Sequence, residues 1–187
     1  MNPIQNSFSC KILIIYLIFC LFNQNVKAQN QSSDNTQWFL DSYRKLFFDY
    51  HTYEAARDVA LHFDSEKWAE QLENSLVQAV SLHTVCNKGW RYYRKGNIGY
   101  VHPTVPDGLD MVEEILNSGH KRGIKVIAYF NVMATETALK YHPDWILTRE
   151  NGEQSNIVSL FSGYFEEMLL PQLEEFNTYY KVDGIFF

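Results

Sequence analysis

Apolar residues along this chain follow two alternating rhythms. Short β-branched or aromatic runs (Leu46-Phe47-Phe48, Leu82 to Asn87, Ile124 to Phe130 and Val182 to Phe187) read as strands bounded by turn-forming residues. In the second run, His83, Val85 and Asn87 are expected on one face, with Leu82, Thr84 and Cys86 on the other. Between the runs, apolar positions recur every three or four residues. Trp68, Leu72, Leu76 and Ala79 follow an N-cap at Asp64-Ser65, and Leu109, Val112, Ile115, Leu116 and His120 follow a second N-cap at Asp107, with Gly123 closing that helix. Gly119 sits inside it at a cost of about 1 kcal/mol relative to Ala, which predicts a close neighbour there. Residues 131–141 form a third helical stretch, stopped by His142-Pro143. Asn151-Gly152 marks a turn in an excursion over 146–156, and residues 164–179 are helical again, with Pro171 expected to kink or divide them.

Strands alternating with amphipathic helices define an α/β class with a parallel sheet and right-handed crossovers. A whole (β/α)8 barrel takes about 250 residues and eight strands. The expectation is therefore an incomplete TIM barrel over residues 38–187, about the first four parallel strands with their helices; a small open α/β sheet is the other architecture the pattern allows.

The chain has 187 residues, and its start follows a different logic. Lys11, the apolar run Ile12 to Phe22 and Val26-Lys27-Ala28 have the layout of a secretory signal peptide over residues 1–28. The run is too short for a hydrocarbon core that needs roughly 20 residues, so no membrane span is expected in the mature chain. Export to a periplasmic or extracellular space follows. Polar residues 29–37 read as a flexible leader. The formal net charge is −6, and loss of Lys11 and Lys27 with the leader makes it more negative, which excludes nucleic acid as an expected partner. Cys10 and Cys20 leave with the signal, so Cys86 remains alone and reads as a small buried hydrophobe. The six histidines show no metal-ligand spacing along the sequence, and no metal or other cofactor is expected.

The 13 Phe, 12 Tyr and 4 Trp are many for a core of this size, and flat aromatic faces suit sugar rings as well as packing. The series Asp49-Tyr50-His51, Phe63-Asp64, Lys88-Gly89, His102-Pro103, GIKVIAYFN (123–131), HPDW (142–145), NGE (151–153) and VDGIFF (182–187) resembles barrel glycoside hydrolases related to the α-L-fucosidase clan. The resemblance implies hydrolysis of O-glycosyl bonds in an oligosaccharide or polysaccharide, with a retaining mechanism. It also implies a nucleophilic Asp just after Phe187, so that this chain carries no catalytic residue and is expected to be inactive. A non-catalytic, carbohydrate-binding half barrel that self-associates through the sheet edge at 182–187 is the alternative.

His51 and Lys88, at the ends of the first two strands, are expected to contact substrate, as are Tyr129 and Asn131 at the end of the third. Trp145 is a candidate for stacking on a sugar, and His102 and Tyr93 for walling the site. Asp49 is expected to pair with a neighbouring Lys or Arg. Asp183 precedes its strand, so it is expected on the N-terminal face, where residues serve stability.

Overall fold

A computed structural model describes residues 36–134 and 136–187. The signal segment 1–28 and residues 29–35 of the leader lie outside the described residues. The chain divides into two units, Met1–Tyr43 and Arg44–Phe187. In the first, residues 36–41 form a short helix followed by a bond from Ser42 Oγ to the Trp38 carbonyl (2.7 Å).

The second unit is built on a parallel-dominated sheet. Strand β1 (Lys45–Phe48) pairs in parallel with β2 (Ala79–Val85), β2 with β5 (Lys125–Phe130), and β5 with β8 (Gly184–Phe186). The short strands β3 (Trp90–Arg91) and β4 (Tyr100–Val101) extend it beyond the C-terminal end of β2, β3 running antiparallel to β2. A separate hairpin, β6 (Ile146–Thr148) and β7 (Gln154–Val158), turns at Asn151-Gly152. The large sheet is open, with β8 at one edge. No helix among the described residues is long and apolar enough to cross a membrane.

Four α-helices complete the unit: α1 (Ser65–Asn74), α2 (Met111–Lys121), α3 (Glu136–Tyr141) and α4 (Leu170–Tyr179). Asp64 caps α1 as expected, accepting the Lys67 N–H at 2.9 Å. That helix ends earlier than the apolar spacing predicts. Leu76 leaves it with φ 56° and is exposed, and Ala79 already belongs to β2. The cap of α2 is Asp110 rather than Asp107, because the Leu109 N–H bonds to Pro106 and closes a turn first; Asp110 then accepts the Glu113 N–H at 3.0 Å. The Gly119 expectation holds: a Cβ there would stand 3.3 Å from Val126 Cγ2, where α2 meets β5. Pro171 divides its helix, with a π-helical turn at Tyr164–Leu169 giving way to α4. Proline sits in the first turn of α4, where its missing N–H costs little.

One face of the sheet is closed by helices. Val80, Leu82, Val126, Ala128 and Phe130 bury there against Val112, Ile115 and Leu116 of α2 and Phe176 of α4. At roughly 25 cal/mol per Å² of apolar surface, this face is the principal source of stability. Tyr93 belongs to this core, packed on Phe176 and Tyr180, and so does not wall a site. The expected alternation along β2 breaks at a register shift between His83 and Val85. A bulge moves every later side chain to the other face, so Val85 joins the helix-side core and His83 does not share its surroundings.

Candidate functional site

The C-terminal ends of β1, β2 and β5 bring together residues far apart in sequence. His51, two residues past Asp49, places Nε2 3.2 Å from Asp49 Oδ1 and accepts the Asn87 N–H at Nδ1 (3.2 Å). Beside it, the buried ring of His83 lies 4.3 Å from the His51 ring and 4.6 Å from that of Tyr129, its register partner on β5. His83 Nδ1 accepts the Tyr50 N–H at 3.0 Å, and the Tyr50 hydroxyl donates to the His83 carbonyl at 2.7 Å. Asn131 donates through Nδ2 to Tyr129 Oη at 3.3 Å, while its Oδ1 accepts the Met133 N–H. Phe47 and Phe186 pack around Tyr129 and leave about half of each side chain exposed, 48% and 50%.

Three of the sequence candidates, His51, Tyr129 and Asn131, thus share one rim. The others stand differently. Lys88 sits on the turn after β2 with Nζ 4.1 Å from the centroid of the Tyr53 ring. His102 is buried, with Nε2 bonded at the Tyr53 carbonyl and Nδ1 accepting the Thr104 N–H, so it holds two loops together. Trp145, 5% exposed, stacks on His142 with ring centroids 3.7 Å apart and offers no open face to a sugar. Asp49 partners His51 rather than a Lys or Arg.

Asp49, His51 and His83 offer ligand atoms within 4.8 Å of one another, a separation that suits a metal ion. Their hydrogen bonds argue against one. Both imidazoles accept a backbone N–H at Nδ1, which places the proton of each neutral ring on Nε2. Neither ring then has a lone pair to give without losing a backbone bond. Burial pushes the His83 pKa down to about 4, helped by the neighbouring His51 imidazole, while Asp49 and the Phe48 carbonyl act weakly the other way. His83 is therefore a neutral N–H donor at neutral pH.

The rim carboxylates are engaged. Glu136 accepts the Trp90 indole N–H and the Glu54 N–H, both at 2.8 Å, and Glu54 itself pairs with Lys140. What the rim offers is hydrogen-bonding groups beside aromatic faces, a combination that binds polyols. Asp49 and His83 escaped sequence reasoning as a unit, since 34 positions separate them and only strand pairing joins them.

Residues 64–187 match the family described as hypothetical glycosyl hydrolase 6. The chain belongs to that family. Comparison with curated proteins gives no match. Among solved structures, α-L-fucosidase isoenzyme 2 from Paenibacillus thiaminolyticus superposes with a TM-score of 0.69 at 23% identity, over 77% of this chain and 23% of that one. An α-L-fucosidase from Bacteroides thetaiotaomicron, trapped as a covalent intermediate, gives 0.54 at 18% identity over 79% and 39%. A noncanonic maltogenic α-amylase from Thermotoga neapolitana gives 0.50 at 17% over 76% and 38%. The likeness is one of fold, and this hypothetical glycosyl hydrolase 6 chain spans less than two fifths of each of the three.

Proposed function

We propose that the chain supplies the first half of a TIM-barrel glycoside hydrolase, exported by its N-terminal segment, in which His51, Tyr129, Asn131 and Lys88 bind hydroxyl groups of an oligosaccharide or polysaccharide. The observation that carries this reading is the convergence of His51, Tyr129 and Asn131 at the C-terminal ends of parallel strands, where barrel enzymes build their sites. Family membership supports the reaction class, and the fold shared with fucosidases and an amylase supports the barrel.

Retaining hydrolysis needs two carboxyl groups about 5–5.5 Å apart across the scissile bond. Asp49, Glu54 and Glu136 are each committed to a neighbour, so these 187 residues bind and orient a sugar without cleaving it. Incubating the purified chain with aryl α-L-fucoside and aryl α-D-glucoside tests this: release of phenol well above buffer would disprove the inactivity. Calorimetry with the same sugars tests binding, which His51→Ala should weaken. Amino-terminal sequencing of exported material should begin at Gln29.

The exposed edge of the sheet favours a second reading. Ile185, Phe186 and Phe187 are all exposed on β8 or just after it, and such an edge invites pairing with a second copy. Sedimentation of the wild-type chain against Ile185→Lys decides: a dimer lost in the variant supports a self-associating binding module.

A further inference from the structure

His83 Nε2 has no hydrogen-bond partner, although its side chain is 1% exposed. Its proton is not in doubt, because the Tyr50 N–H occupies Nδ1. The Phe48 carbonyl approaches the imidazole and favours its charged form, yet it closes no hydrogen bond with Nε2. A buried donor without an acceptor costs about 1–3 kcal/mol, and native structures rarely leave one without a use. Ser81 Oγ, two residues earlier on the same face of β2, also lacks a partner. The surroundings describe the acceptor. Phe47 and Phe186 present half-exposed rings that pack on Tyr129 and on each other, with His51 and Asn131 at the rim. The Asp49 carboxylate, 3.8 Å from His83 Nδ1, disfavours an anion.

We infer that His83 is a further sugar-binding residue, whose Nε2–H donates to a hydroxyl oxygen of a neutral pyranose lying against the Phe47 and Phe186 rings. This deepens the proposed function and rests on it. The ligand parts the aromatic rings to reach the nitrogen, and Phe47, half-exposed and packed against His83 and Tyr129 at 5.4 Å and against Phe186 at 6.2 Å, is the ring that must turn. The competing account is an N–H held over the Tyr129 ring, which is worth less than a bond to oxygen.

Two measurements on the full chain test the assignment. In the first, the His83 Nε2–H resonance is followed by NMR during titration with L-fucose, D-glucose and D-glucuronate. It should shift with the neutral sugars and respond weakly to the glucuronate; no shift at saturating neutral sugar overturns the inference. The second compares affinities. His83→Asn keeps an oxygen for the Tyr50 N–H but lacks the distal donor, and should weaken neutral-sugar binding about 3- to 10-fold while leaving the near-UV circular dichroism spectrum intact. If His51→Ala weakens binding and His83→Asn does not, this inference fails and the proposed site stands. If no sugar binds the wild-type chain, both fail.

Discussion

The two ends of the parallel sheet handle buried polar groups in opposite ways. At the N-terminal end, Asp183 accepts from Lys125 Nζ (2.7 Å), His120 Nε2 (2.7 Å) and the Val126 N–H (2.9 Å), tying β8 to β5 and α2. Both of its carboxylate oxygens are used. At the C-terminal end, His83 keeps a donor unused and half-exposed rings surround it. A saturated cluster contributes stability, whereas an unsaturated one holds back bonding capacity for something that arrives. The contrast agrees with the division of labour between the two faces of parallel α/β sheets.

The strongest challenge to that contrast is Asp183→Ala. It leaves the Val126 N–H, the Lys125 ammonium and the His120 ring without their acceptor, and should lower unfolding free energy in urea by about 2–3 kcal/mol without changing sugar affinity. Equal loss of affinity would show that the two ends do not act separately. Burial raises the Asp183 pKa, but the bonds from Lys125, Val126 and His120 outweigh it and hold the carboxyl below its ordinary range. Its contribution is thus present above the unfolded pKa and is lost as pH falls through the folded value.

A second effect, confined to acidic pH, comes from His83. Its folded pKa of about 4 lies below the ordinary 6.5, so the unfolded chain takes up the proton first. Stability should be unaffected above about pH 6.5 and should decline between there and about pH 4, by at most about 3 kcal/mol. His83→Asn should flatten that part of the pH profile, read by urea titration, and leave the lower-pH loss due to Asp183. If the profile keeps its slope, His83 is not the titrating group.

The smallest effects sharpen the comparison through backbone strain. Leu76 at the N-terminal end (φ 56°) and Ala60 in the loop above the C-terminal end (φ 59°) both occupy the left-handed region. Leu76→Gly and Ala60→Gly should each raise the thermal midpoint slightly, on the order of 0.5 kcal/mol after the entropy of glycine is counted. A larger gain at Ala60 would locate extra strain at the rim.

Much of the scaffold was legible in the chain itself. Residues 124–130 carry a continuous apolar run bounded by Gly123 and Asn131, and β5 forms over Lys125–Phe130. Asp64 announced its helix, Gly119 its close contact, and Asp183 its place at the foot of β8. These features rest on local conformational preference and on the period of burial. The site was less legible. His51, Tyr129 and Asn131 could be picked out as strand-end residues, whereas Trp145, His102 and Tyr93 were weaker candidates whose burial only packing reveals. The short strands β3 and β4, inside an aromatic and basic loop, carried no periodic signal.

By itself the sequence determined the order of the parallel strands and the helices between them, the parallel sense of the sheet and the apolar face that the helices cover, because each follows from spacing along the backbone. Tertiary structure alone decided that a bulge after His83 separates it from Val85, that Asp49 and His51 close around it, and that its Nε2–H has no acceptor. Those outcomes depend on register between strands and on which backbone N–H reaches which ring nitrogen, and neither is encoded in any local stretch of residues.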